Sequence, residues 1–232
     1  MRPVLFQIGG LHVTSYGVSK AVAALVAGWL LARELRRQRL DPELAYPLTL
    51  AAVAGGFAGA KLNFLAENAA TLTVHDLGGT GFTWYGGLIG GTLAVLLVAR
   101  RARIAPGLMA GMAVIPLSLG YAIGRLGCQL AGDGTYGKPS HLPWAMSFPH
   151  GGALLLAGVL GRVRDRVPPA ALFGLWAILA GILRFLVELL RLNPAALAGL
   201  TEAQVASLAL ATFDASVIAL QRRRRRLAAQ AA

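Results

Sequence analysis

Apolar residues in this chain come in runs too long for a soluble fold. Stretches near 15–32, 45–66, 82–99, 107–130, 146–161, 170–191 and 203–220 are dominated by Ala, Leu, Val, Ile and Gly. A helix rises about 1.5 Å per residue, so about 20 such residues cross a hydrocarbon core of about 30 Å. The pattern predicts an all-α, polytopic membrane helical bundle with about seven transmembrane helices. The fifth run is the weakest, being short and interrupted by Gly151 and Gly152. No soluble domain, long linker or internal repeat stands out, so residues 1–232 read as a single integral-membrane domain.

Composition agrees with the pattern: 56% of residues are hydrophobic and the mean hydropathy is +0.61. Glycine, at 29 of 232 residues, exceeds the average of about 7%. Small residues four apart recur at Gly55/Gly59, Gly86/Gly90, Gly87/Gly91, Gly107/Gly111 and Gly120/Gly124. Such spacing lets membrane helices approach closely, and packing is the first explanation for it.

A net charge of +12 would ordinarily raise nucleic-acid binding. The positions of the charges argue against it. Arg33, Arg36, Arg37 and Arg39 follow the first run; Arg100, Arg101 and Arg103 follow the third. Arg162, Arg164 and Arg166 follow the fifth, and Arg222 to Arg226 the seventh. Basic loops stay on the cytoplasmic side, so the clusters predict an N-terminus outside and a C-terminus inside. The partner implied is the lipid bilayer, with no nucleic acid. Positive charge comes after the first run rather than before it, the reverse of a cleaved signal peptide; the first span is expected to be retained. The one cysteine, Cys128, excludes an internal disulfide and a cysteine-based zinc site. His12, His75, His141 and His150 lack metal-ligand spacing, so no metal site is expected.

Charges inside the spans carry the chemical signal. Lys61, Arg125, Arg184 and Glu188 fall within apolar runs, where an ionisable group costs about 2.5–3.5 kcal/mol on insertion scales unless it finds a partner or water. With the orientation above, Lys61, Arg125 and Arg184 come from three helices and lie in their outer parts. Arg184, Glu188 and Arg191 share one helix face by their spacing. One explanation is local pairing of Arg184 with Glu188 and snorkelling of the others. The other is a cationic pocket open to the outer leaflet, where guanidinium groups bind phosphate bidentately. The segment from Gly124 to Gly137 runs from a helix end into a glycine-rich outer loop, where Asp133 is placed to pair with Arg125 or to accept a proton.

These motifs together resemble the prolipoprotein diacylglyceryl transferase family. Ser15-Tyr16-Gly17 resembles its tyrosine–glycine pair, and Gly55-Gly56-Phe57-Ala58-Gly59-Ala60-Lys61-Leu62 its second-span glycine motif. Trp84-Tyr85-Gly86-Gly87-Leu88-Ile89-Gly90 is similar to its His-Gly-Gly-Leu-Ile-Gly motif. Gly124-Arg125-Leu126-Gly127, then Gly132-Asp133 and Gly137, resembles the family signature, continued by Leu142-Pro143-Trp144-Ala145-Met146 and Phe148-Pro149. Arg184-Phe185-Leu186-Val187-Glu188 resembles its sixth-span arginine–glutamate motif, and Gln204 with Ser207 its last helix.

The resemblance implies a multi-pass protein of the bacterial inner (plasma) membrane. It implies transfer of diacylglyceryl from phosphatidylglycerol, or a related anionic phospholipid, to the lipobox cysteine thiol of a prolipoprotein, with release of glycerol-1-phosphate and with no metal or organic cofactor. The catalytic residues it suggests are Arg125, Arg184, Tyr85 and Asp133; the substrate-binding ones are Tyr16, Lys61, Gly86, Gly87, Gly137 and Glu188. The departures are specific. Tyr85 stands at the motif histidine, and a phenol is a poor base at neutral pH. Cys128 replaces an asparagine, and one residue is inserted before Gly137. His150-Gly151-Gly152-Ala153-Leu154-Leu155-Leu156 stands where the family has His-Pro-x-x-Leu-Tyr-Glu, and the outer insertion before it is missing. These changes keep open a second expectation: a non-catalytic or altered-acceptor paralogue that binds anionic phospholipid in the same pocket.

Overall fold

The computed structural model describes residues 4–9, 11–78, 81–131, 148–188, 199–201, 204–205, 207–208 and 212. Six α-helices dominate them: α1 Ser15–Arg37, α2 Ala45–Glu67, α3 Trp84–Arg101, α4 Pro106–Ala131, α5 Phe148–Val163 and α6 Pro169–Glu188. Among the described residues, four segments are long and apolar enough to cross a membrane: Ser15–Arg37, Pro42–Glu67, Pro106–Ala131 and Pro169–Glu188. They match the first, second, fourth and sixth apolar runs. The third run forms α3, 18 residues with an aromatic-glycine start and paired terminal arginines, which falls outside those four. The fifth run forms the shorter α5, apolar over Leu154–Val163. Most of the seventh lies outside the described residues, but Gln204, Val205, Ser207, Leu208 and Thr212 within it are helical.

The all-α expectation needs a correction at the N-terminus. Strands β1 (Val4–Ile8) and β2 (Leu11–Thr14) pair antiparallel, with Ile8 opposite Leu11 and Gln7 opposite His12. The chain turns at Gly9, whose φ of +52° suits a residue without Cβ. The physical signal is a run of β-formers around a Gly-Gly pair, a hairpin pattern too short to register beside 20-residue apolar runs. Thr14 then opens α1: its Oγ1 accepts from the Gly17 backbone N–H at 3.1 Å, satisfying one of the orphan donors of a helix start.

The chain divides into two compact units, Ala24–Met112 and Met1–Ala23 with Ala113–Ala232; the divisions fall within α1 and α4. In the Ala24–Met112 unit, α2 and α3 pack backbone to backbone. A Cβ on Gly59 would strike the Gly86 carbonyl, and one on Gly86 the Gly59 carbonyl. Gly55 and Gly90 are related in the same reciprocal way. Thr83, just before α3, donates from both its N–H and its hydroxyl to the Ala60 carbonyl, each at 3.2 Å. Arg39 and Arg103 end α1 and α3 with φ of 59° and 58°. The Leu40 and Ile104 N–H groups then reach back to the Leu35 and Ala99 carbonyls, a closing pattern that usually employs glycine.

In the other unit, Val114 of α4, Leu156 and Leu160 of α5 and Leu172 of α6 form a buried cluster, flanked by Phe173 and Trp176. Buried Ser118 on α4 accepts a 2.8 Å hydrogen bond from Trp176 Nε1 while donating to the Val114 carbonyl. An indole N–H and a hydroxyl inside an apolar seam thus satisfy each other.

Candidate active site

The charged network at the end of α6 is the most completely specified polar arrangement. Arg184 Nη1 donates to Glu188 Oε2 in an ion pair one helical turn long, with the arginine side chain 34% exposed and the glutamate fully covered. A buried carboxylate needs every lone pair served. The second oxygen of Glu188 accepts from Thr201 Oγ1 at 3.0 Å. Thr201 in turn forms a reciprocal cap with Gln204. The Thr201 N–H donates to Gln204 Oε1 at 3.0 Å, and the Gln204 N–H donates to Thr201 Oγ1 at 3.3 Å. This Thr-x-x-Gln pattern is a capping box. Arg184 is therefore held by a chain that passes through Glu188 to the start of the next helical segment.

Arg125 lies in the last two turns of α4, half-buried, with its guanidinium over the Tyr121 ring at 5.8 Å. Its flanking glycines meet α1. A Cβ on Gly127 would strike the Ser19 side chain, and one on Gly124 would sit 3.3 Å from Lys20 Nζ. The Gly-Arg-Leu-Gly sequence thus lets the first turns of α1 press against α4 at the arginine. Tyr16, exposed in α1, lies beneath Lys20, whose Nζ is 5.0 Å from the ring centroid.

Lys61, Tyr85, Gly86 and Gly87 belong to the Ala24–Met112 unit. Lys61 donates to the Gly78 carbonyl at 2.8 Å and stands over the rings of Phe64 and Phe82. It secures the loop between α2 and α3. Tyr85, in the first turn of α3, is 46% exposed and packs edge-on against Trp84. Gly86 is buried against Gly59 and Asn63, and Gly87 faces the Gly56 carbonyl; close helix contact accounts for both. Asp133 and Gly137 lie outside the described residues.

Two participants are absent from the set drawn from sequence. Thr201 was legible as the first residue of a Thr-x-x-Gln box, but its bond to Glu188 joins positions 13 apart and has no local signature. Lys20 was visible as a charge within the first apolar run. Among the described residues no three His, Cys, Asp or Glu side chains gather as metal ligands would.

Comparison with known proteins identifies the frame that holds these groups. The family model described as prolipoprotein diacylglyceryl transferase matches residues 3–220. A phosphatidylglycerol–prolipoprotein diacylglyceryl transferase of Clostridium tetani is 28% identical across 84% of this chain and 87% of its own. Its counterpart in Methylococcus capsulatus is 30% identical across 82% of each. One from Rhodospirillum rubrum is 28% identical across 97% of this chain and 94% of its own. The chain is thus a diacylglyceryl transferase-like enzyme and belongs to the prolipoprotein diacylglyceryl transferase family.

Proposed function

We propose that the protein transfers diacylglyceryl from phosphatidylglycerol to the lipobox cysteine of a prolipoprotein at the outer face of the bacterial inner membrane. The thiol loses its proton, its sulfur bonds to the terminal glyceryl carbon, and the bond from that carbon to the phosphate oxygen breaks. Glycerol-1-phosphate leaves with the electron pair. Charge grows on the phosphate as it departs, and preorganised cations stabilise it more in the transition state than in the bound lipid. Arg125 and Arg184 are given that task.

One observation carries this assignment. Val114 and Leu172 share a buried cluster, and four residues on, Trp176 hydrogen-bonds Ser118, 58 positions away. The cluster and the hydrogen bond follow the same order along both helices, which supports α4 and α6 running in the same direction, as the alternation of the basic clusters also does. From Ser118 to Arg125 and from Trp176 to Arg184 the helices rise by about 10 and 12 Å. This favours two guanidinium groups at one level. Glu188 directs one donor of Arg184 and leaves others of its fork for a phosphate oxygen.

The wider assignment comprises one integral-membrane domain of seven spans with the N-terminus periplasmic and the C-terminus cytoplasmic. The basic clusters support it. By family resemblance, Tyr16, Tyr85 and Gly137 bind substrate and Asp133 orients a cation; Lys61, Gly86 and Gly87, which the resemblance also assigns to substrate, are given to the loop and the close α2–α3 contact instead. Tyr85, standing where the family has histidine, favours a second possibility: a paralogue that binds the lipid but serves another acceptor or none. Complementation separates the two. Cells depleted of their own transferase should be rescued by this chain and not by Arg125→Ala or Arg184→Ala. Lack of rescue by a correctly inserted wild-type chain that still binds phosphatidylglycerol contradicts the transferase assignment and supports the second.

A further inference from the structure

We infer that Lys20 is a second cation of the lipid-phosphate site, acting beside Arg125. It lies one turn into α1, a helix long and apolar enough to cross a membrane. A charge there requires a counter-charge or water. Among the described residues it has neither a carboxylate nor a hydrogen-bond acceptor, only the face of Tyr16. Arg125 is in the same position, with only the face of Tyr121. Each cation therefore covers a tyrosine four residues earlier in its own helix. The quadrupole of an aromatic ring attracts a cation without neutralising it, so among the described residues nothing balances either positive charge.

The glycines of α4 bring Lys20 to the stretch of backbone that carries Arg125. Gly127 is in contact with Ser19, and the missing side chain of Gly124 admits the Lys20 ammonium to the backbone immediately before Arg125. A larger residue at 124 would move it away. Two cations of this kind, a compact ammonium and a planar guanidinium, suit the tetrahedral oxygens of a phosphate. In this chain the phosphate is that of the lipid donor, with the soluble glycerol phosphate product as the other source of the same chemistry. None of the family motifs quoted from the sequence includes Lys20.

The inference rests on the assignment of Arg125 to lipid phosphate, so the test separates the two. Binding of phosphatidylglycerol to the purified full chain in detergent would be measured by native mass spectrometry, with phosphatidylcholine as the comparison and glycerol-1-phosphate as a soluble competitor. Lys20→Met should weaken phosphatidylglycerol binding about tenfold, leave the melting temperature near wild type, and weaken competition by glycerol-1-phosphate. Lys20→Arg should retain most of the affinity. Gly124→Ala, which displaces the ammonium without removing it, should lie between. Unchanged phosphatidylglycerol affinity in a folded Lys20→Met overturns the inference, even where Arg125→Ala abolishes binding and the broader assignment stands. Equal loss in Lys20→Met and Lys20→Arg overturns it as well, because a packing role would not be rescued by charge. Unchanged binding in Arg125→Ala contradicts the assignment beneath it.

Discussion

Lysine 61 and lysine 20 are both cations in membrane-length helices, and their surroundings differ in kind. Lys61 reaches a backbone carbonyl, that of Gly78, and ties down a loop. Among the described residues Lys20 reaches only an aromatic face. The glycines around them differ in the same way. In the Ala24–Met112 unit, Gly55, Gly59, Gly86 and Gly90 bring one helix backbone directly against the other and leave no room for a side chain. In the other unit, Gly124 and Gly127 bring the first turns of α1 against α4 beside an arginine. One small-residue device builds a close structural seam in the first case and brings a lysine beside an arginine's backbone in the second. Glycine spacing alone therefore identifies close approach; which groups it serves depends on the cations at the seam and their partners.

The contrast can be broken at each place. Gly59→Leu should have the largest effect on folding. Overpacking a tight core costs about 1–3 kcal/mol, and here the obstacle is backbone carbonyl, which cannot swing aside. Thermal unfolding in detergent should show a clear drop, and an unchanged midpoint would mean that α2 and α3 do not meet as described. Thr201→Val should act next, through Arg184. It removes the donor to Glu188 and half of a capping box, a loss of about 1 kcal/mol. Transfer should fall several-fold, and Thr201→Ser should restore it. Lys61→Met should have the smallest effect. It loses the exposed hydrogen bond to the Gly78 carbonyl and the contacts with Phe64 and Phe82, each worth about 1 kcal/mol or less, and transfer activity should stay within about twofold of wild type. A hundredfold loss in Lys61→Met would move it from loop anchor to chemistry and erase the distinction between the two lysines.

Much of this was legible in the residues. The apolar runs located α1 to α6 because helix length and membrane thickness are tied by simple geometry. The pairs Gly55/Gly59 and Gly86/Gly90 announced close packing, and Arg184 with Glu188 announced an ion pair, since four residues is one helical turn. What stayed hidden is non-local. Nothing in Thr201 says that it meets Glu188, and nothing in Trp176 says that it meets Ser118. The hairpin at Val4–Thr14 escapes a reading by apolar runs because two strands this short carry a weak signal beside long helices. The charge of Lys20 was plain, but its place beside Gly124 depends on how α1 meets α4.

The central claim is that Arg125 and Arg184 hold one phosphate, and a double-mutant cycle on transfer rate tests it most directly. Release of glycerol-1-phosphate from phosphatidylglycerol would be measured for Arg125→Ala, Arg184→Ala and the double variant. Each single change should lower the rate about a hundredfold or more, as loss of a donor to a developing anion does. Residues acting on one group are strongly coupled, so the double variant should be little worse than either single one. Losses that multiply, to about ten-thousandfold, would mean that the two arginines act independently and would contradict the shared site.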